Sequence, residues 1–214
     1  MKNSFLCFGL ILFISFYSYA QNDKQADDIL KGVSAKYKSL SSIKADFSYT
    51  NENPKDNTKD TQSGSISLKG EKYLLQIKGQ EVISDGKTIW TYLNESNEVQ
   101  ISEPSKNAEA ISPSNIFTMY EKGFEFKFVE EKNEKGKMTQ IIDIMPLDKK
   151  KNYFKIRMTI DKADKVVVSS MVFNKNGSHY TYLIKQFTPN AVLPDAFFSF
   201  DKAKHPGVEV VDLR

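Results

Sequence analysis

Few residues in this chain are of a type that does chemistry, and their spacing does not gather them. The two histidines, His179 and His205, lie on a strand-like run and in a Pro-Gly turn, with no Cys, Asp or Glu at metal-ligand spacing. There is no Gly-x-Ser-x-Gly elbow, phosphate loop or His-Glu-x-x-His. Asp85, Asp161 and Asp164 stand beside turn signals, where an aspartate is explained by its bond to the local backbone. Lys149-Lys150-Lys151 is the densest positive run. It reads as a solvated loop or as a contact for anionic lipid headgroups or an acidic partner. These observations predict a protein that is not an enzyme and that needs no metal and no cofactor.

Residues 1–20 have the pattern of a secretory signal. Lys2 is followed by an apolar run from Phe5 to Phe16, and Ser18-Tyr19-Ala20 offers small residues for cleavage after Ala20. The run is short for a membrane span. Cys7, the only cysteine, would leave with this leader, so no disulfide supports the mature chain. Residues 21–214 then form one exported domain held by packing alone. The formal net charge of +3 is small and its signs are interspersed, which argues against a nucleic-acid partner.

The elements follow from periodicity. Ala26, Ile29, Leu30, Val33, Tyr37 and Leu40 recur at helical steps and predict one amphipathic helix. The period then becomes two, from Ile43, Ala45, Phe47 and Tyr49 onward. A polar loop is expected over 51–61. Short turns separate the following runs, so neighbouring strands are expected to be antiparallel. Ser112-Pro113 is a helix-start pair, and 105–122 is expected to hold one or two short helices. About eleven strands are too many for a flat layer and should curl into a barrel or half-barrel.

Asp85-Gly86 between two apolar runs predicts a tight hairpin, with Trp90 and Tyr92 on one face of its second arm. Aromatic residues are frequent on elements expected to face one another. Phe47, Tyr49, Leu68, Tyr73, Leu75, Trp90, Tyr92, Phe124 and Phe126 are the predicted wall of an apolar cavity. Ile116, Phe117, Met119 and Tyr120 are its predicted lid or plug, Met119 suiting the role because a thioether repacks easily.

Several motifs in order resemble the LolA family of periplasmic carriers of outer-membrane lipoproteins. They are Ala45-x-Phe47, Gly64-x-Ile66-x-Leu68-Lys69, Ser84-Asp85-Gly86-Lys87-x-x-Trp90-x-Tyr92, Phe198-x-Phe200 and Pro206-Gly207-Val208. The resemblance implies a mainly β, α+β fold: an incomplete antiparallel barrel covered by about three helices. It implies a monomer that accepts the acyl chains of lipoproteins from an inner-membrane LolCDE-type ABC transporter. Delivery to the outer membrane would follow, through a LolB-type receptor where one exists. Many relatives carry Arg-Pro, which helps hold the lid closed, where this chain has Gly70-Glu71. A carrier or sensor of another lipid on the same fold, and a periplasmic hydrolase using Asp85 or His179, remain open alternatives.

Overall fold

A computed structural model describes residues 24–104, 119–134 and 136–214. Twelve strands form a single sheet: β1 (Ile43–Asn53), β2 (Thr58–Lys69), β3 (Lys72–Ile77), β4 (Gln80–Ser84), β5 (Ile89–Leu93), β6 (Glu98–Ser102), β7 (Phe124–Glu134), β8 (Lys137–Pro146), β9 (Tyr153–Asp161), β10 (Val166–Asn174), β11 (His179–Pro189) and β12 (Glu209–Asp212). Their spatial order is β12-β6-β5-β4-β3-β2-β1-β11-β10-β9-β8-β7. The sheet does not close, since β12 and β7 are its two edges. Register shifts at Asp46/Phe47, Val167/Ser169 and Phe128/Glu130 are bulges of the kind that bend a strand and raise its twist. They let so wide a sheet curl.

The chain has twelve strands where about eleven were expected. All pairings are antiparallel except β12 on β6, which is parallel. That pairing needs the long crossing of residues 190–208, which a scan for short turns does not reveal. The expected polar loop over 51–61 is instead the far end of the β1–β2 hairpin, with a turn around Asn57 at φ 51°. These strand ends run past the core, so neither face is apolar and alternation gives no signal. Asp85-Gly86 lies in a four-residue loop, with Ser84 paired to Ile89, not in a two-residue turn. Asp85 Oδ1 accepts from the N–H groups of Lys87 and Thr88 at 2.8 and 2.7 Å, and Gly86 takes φ +90°.

One α-helix is described, α1 (Lys24–Lys38), together with 3₁₀ turns at Met119–Glu121, Asp195–Phe198 and Lys202–Lys204. Only the end of the expected 105–122 helical region is therefore described. Ile116 and Phe117 lie outside the described residues, as does the side chain of Met119. In α1 the predicted stripe is buried at Ala26, Leu30, Val33 and Tyr37. Asp27 stands in the first turn and Lys36 and Lys38 in the last, matching the helix dipole.

The sheet buries apolar groups on both faces. The main core joins α1 to the concave face through Ala45, Ile66, Ile142, Ile144, Ile160 and their neighbours. A second group, Ile83, Val99, Leu193, Phe198 and Val208, is buried apart from that core. It lies where the C-terminal segment crosses the convex face of β3–β6. Lys69 and Lys72 hold that segment through Asp195 at 3.0 and 3.3 Å.

Candidate functional site

Register assigns each predicted wall residue to a face, because side chains alternate along every strand. Phe47 pairs with Gly64 on one side and Ile184 on the other; Leu68 pairs with Tyr73; Leu75 pairs with Ile66 and Val82. Phe126 pairs with Ile144, and Phe124 with Pro146. Phe47, Tyr49, Leu68, Tyr73, Leu75, Phe124 and Phe126 therefore share the concave face, toward α1.

Trp90 and Tyr92 do not join them. Trp90 pairs with Ile83, whose neighbour Val82 is the residue on the concave face, so both β5 aromatics point to the convex side. There the Tyr92 ring meets His205 at 4.2 Å and Phe200 at 5.7 Å. Its hydroxyl donates to Asn97 Oδ1 at 3.1 Å, and Asn97 Nδ2 donates to the Pro206 carbonyl at 3.2 Å. These two residues fasten the C-terminal crossing and form no part of the concave wall.

Several concave-face residues were not singled out from sequence: Ile142, Ile144, Met158, Ile160, Ile184 and Phe187. A signal existed. Asp143 between Ile142 and Ile144 separates two faces, and its carboxylate meets Arg157 Nε and Nη2 on the convex side at 2.7 and 2.8 Å. Burial opposes ionisation of Asp143, but Arg157 and Lys155 outweigh it and hold its pKa below the usual carboxylate range.

α1 covers part of this face. Tyr37 is its anchor: the ring stands edge-on to Phe187 at 5.9 Å, and the hydroxyl accepts the Val167 N–H at 3.1 Å. Phe47, Leu75, Val82, Ile156 and Ile184 remain half-buried on the same face. Toward the β1–β2 turn it ends in a tyrosine cluster, with Tyr49 at 5.7 Å from Tyr180 and 5.1 Å from Tyr182. Burial, and then the neighbouring phenols, push Tyr49 up to about 12, so it stays neutral. The result is a mostly apolar concave face, a trough that ends in phenols, with Asp60 the charge beside Tyr49. A cleft of ≈ 560 Å³ also opens at the start of α1, over Ile29, Val33 and Ile160, but Lys24 and Lys162 at its rim are paired with Asp28 and Glu131.

Gly64 makes room in this trough. A Cβ there would stand 2.6 Å from Phe47 Cζ and 2.8 Å from the Gln76 carbonyl oxygen. Gly64→Ala must therefore displace the Phe47 ring and strain the β2–β3 ladder. The expected loss is about 1–3 kcal/mol, typical of overpacking. A urea unfolding curve checks it, and an unchanged midpoint would contradict the placement of Phe47.

In the 3₁₀ turn Met119–Glu121, Tyr120 is buried to 3% exposure, and burial pushes its phenol up to about 12. Lys38, at the end of α1, pairs with Glu121 in the same 3₁₀ turn. Gly70-Glu71 makes a two-residue hairpin turn, with Gly70 at φ +59°. The groups with reactive potential are used structurally. His179 packs on Phe173 at 4.8 Å, His205 stacks on Phe200 at 4.7 Å, and Asp161 Oδ1 takes the N–H groups of Ala163 and Asp164 at 3.0 Å.

Among curated proteins none matches this chain. Solved structures do. An uncharacterized conserved protein from Thermus thermophilus is similar at TM-score 0.58 and 12% identity, over 88% of this chain and 99% of that one. Lipoprotein LppX from Mycobacterium tuberculosis is similar at TM-score 0.50 and 11% identity, over 80% and 98%. A DUF1329 family protein from Desulfovibrio piger is similar at TM-score 0.50 and 13% identity, over 84% and 98%. These likenesses establish a shared fold. Residues 38–201 match the family model for the outer membrane lipoprotein carrier protein LolA, and the chain belongs to that family.

Proposed function

We propose that this protein carries acylated lipoproteins across the periplasm, from an inner-membrane LolCDE-type transporter to the outer membrane. The observation that carries this reading is the trough itself: aromatic and aliphatic residues from β1–β4 and β7–β11 share one mostly apolar face that α1 covers only in part. Such a surface suits acyl chains and offers no constellation for bond making.

Energetics shape the mechanism. Each buried CH₂ is worth ~0.8 kcal/mol. Several full-length chains would then gross tens of kcal/mol, beyond the roughly 18–21 kcal/mol at which non-covalent binding saturates. A carrier that releases its cargo must offset most of this gain. In the proposed cycle the ligand-free state is closed by the plug of Ile116, Phe117, Met119 and Tyr120, and cargo displaces it. The latch is modest: Lys38–Glu121 is an exposed pair, worth about 0–1 kcal/mol. It takes the place of the Arg-Pro latch of many relatives, and its weakness suits a lid that opens on each delivery.

Depletion of the protein in its own organism tests the pathway. Lipoproteins destined for the outer membrane should accumulate in the inner-membrane fraction. An unchanged distribution would remove the assignment.

A further inference from the structure

The loop from β8 to β9 places Lys149, Lys150 and Lys151 between two exposed apolar side chains, Leu147 at 53% and Phe154 at 51% exposure. Neighbouring turns add to it. The Lys175 N–H donates to the Asn152 carbonyl at 2.9 Å, and Lys175 Nζ donates to the Lys149 carbonyl, so the β10–β11 turn is stitched to this loop. Lys55 of the β1–β2 turn lies across Gly177, 3.1 Å from where a Cβ would stand. Five ammonium groups thus share one end of the sheet. It is the end of the concave face that carries the tyrosine cluster, since Tyr49 and Tyr180 lie just inside the same turns.

Two acids stand among them, both engaged. Asp148 Oδ1 accepts the Lys150 N–H at 2.8 Å, and Asp56 takes the Asn53 amide. Among the described residues none of the five lysines forms an ion pair with a carboxylate. Lys149 Nζ instead donates to the Pro146 carbonyl at 3.3 Å.

We propose that this end of the half-barrel docks on an anionic lipid bilayer, with the lysines over the headgroups and Leu147 and Phe154 in the interface. Flexible cations around exposed apolar tips fit a bilayer surface, where lysine stems lie along the interface and ammoniums reach the phosphates. A folded acidic partner would be better met by a shaped groove, whereas Leu147 and Phe154 each keep about half their surface open, Phe154 with its ring resting on Phe173. Docking in this pose turns the tyrosine end of the concave face to the membrane. The inference does not depend on cargo, because empty vesicles suffice to test it.

The test is co-sedimentation of the mature chain with vesicles of phosphatidylcholine, with and without phosphatidylglycerol. Binding should require phosphatidylglycerol and weaken with salt. Each lysine near an anionic surface contributes about fivefold, so K149E/K150E/K151E should reduce partitioning by roughly a hundredfold or more. L147S/F154S should reduce it severalfold with the charge intact. Circular dichroism establishes that each variant is folded. Equal binding to neutral vesicles, undiminished binding of the folded triple variant, or binding to neither vesicle would overturn the proposal.

Discussion

Leu75→Asp should abolish extraction of acylated lipoprotein from inner-membrane vesicles and leave a folded protein. Leu75 sits on β3 between Ile66 and Val82, on the half-buried part of the concave face. In the empty protein an aspartate there can still reach water, so the fold loses only about 1–2 kcal/mol. With acyl chains packed over it, the carboxylate is cut off from water without a cation beside it. Desolvating such a charge costs several kcal/mol, and even about 3 kcal/mol lowers affinity by roughly a hundredfold. Trp90→Ser is the matched control. It removes a larger apolar side chain, but from the opposite face. It should lower stability and leave extraction within about twofold, because distant sites act independently. Normal extraction by Leu75→Asp, or its loss in Trp90→Ser, would mean that acyl chains do not lie in this trough.

The largest stability change is expected at Phe198→Ala. Phe198 is 1% exposed in the 3₁₀ turn that packs on β3, on the convex side. Truncating a buried Phe costs about 3–5 kcal/mol, the transfer term plus the cavity. For a domain of this size that lowers the melting temperature by about 6–20 °C. Thermal circular dichroism reads it directly. A shift of only a degree or two would mean that the C-terminal crossing is an appendage and not a second core.

That second core explains what was hidden in the sequence. The stripe in α1 and the alternation at the start of β1 and of β7 were legible, because there one face is apolar and the other polar. In β3–β6 both faces are apolar: Leu74 beside Leu75, Val82 beside Ile83, Ile89 and Leu93 flanking Trp90 and Tyr92. Residue type there cannot tell concave from convex. The only tryptophan looked like cavity wall and is in fact covered territory outside it. The burial of the convex side depends on Phe198 and Val208, far along the chain from β3–β6, which no local pattern reports. The long polar ends of β1 and β2 were invisible for the opposite reason, having no apolar face at all. The Lys38–Glu121 pair joins positions far apart in sequence and has no motif. At the Asp85 loop, composition correctly marked a turn, but the Asx bonds to Lys87 and Thr88 made it two residues longer than the tightest form.

The most direct test of the central claim is photo-crosslinking from the two faces of the sheet. A photoreactive residue placed at Ile184, on the concave face beside Phe47, should crosslink to the acyl chains of a lipoprotein released from vesicles. The same residue at Trp90 should not. Equal yields from both positions, or a crosslink from Trp90 alone, would contradict an acyl-chain carrier built on the concave face.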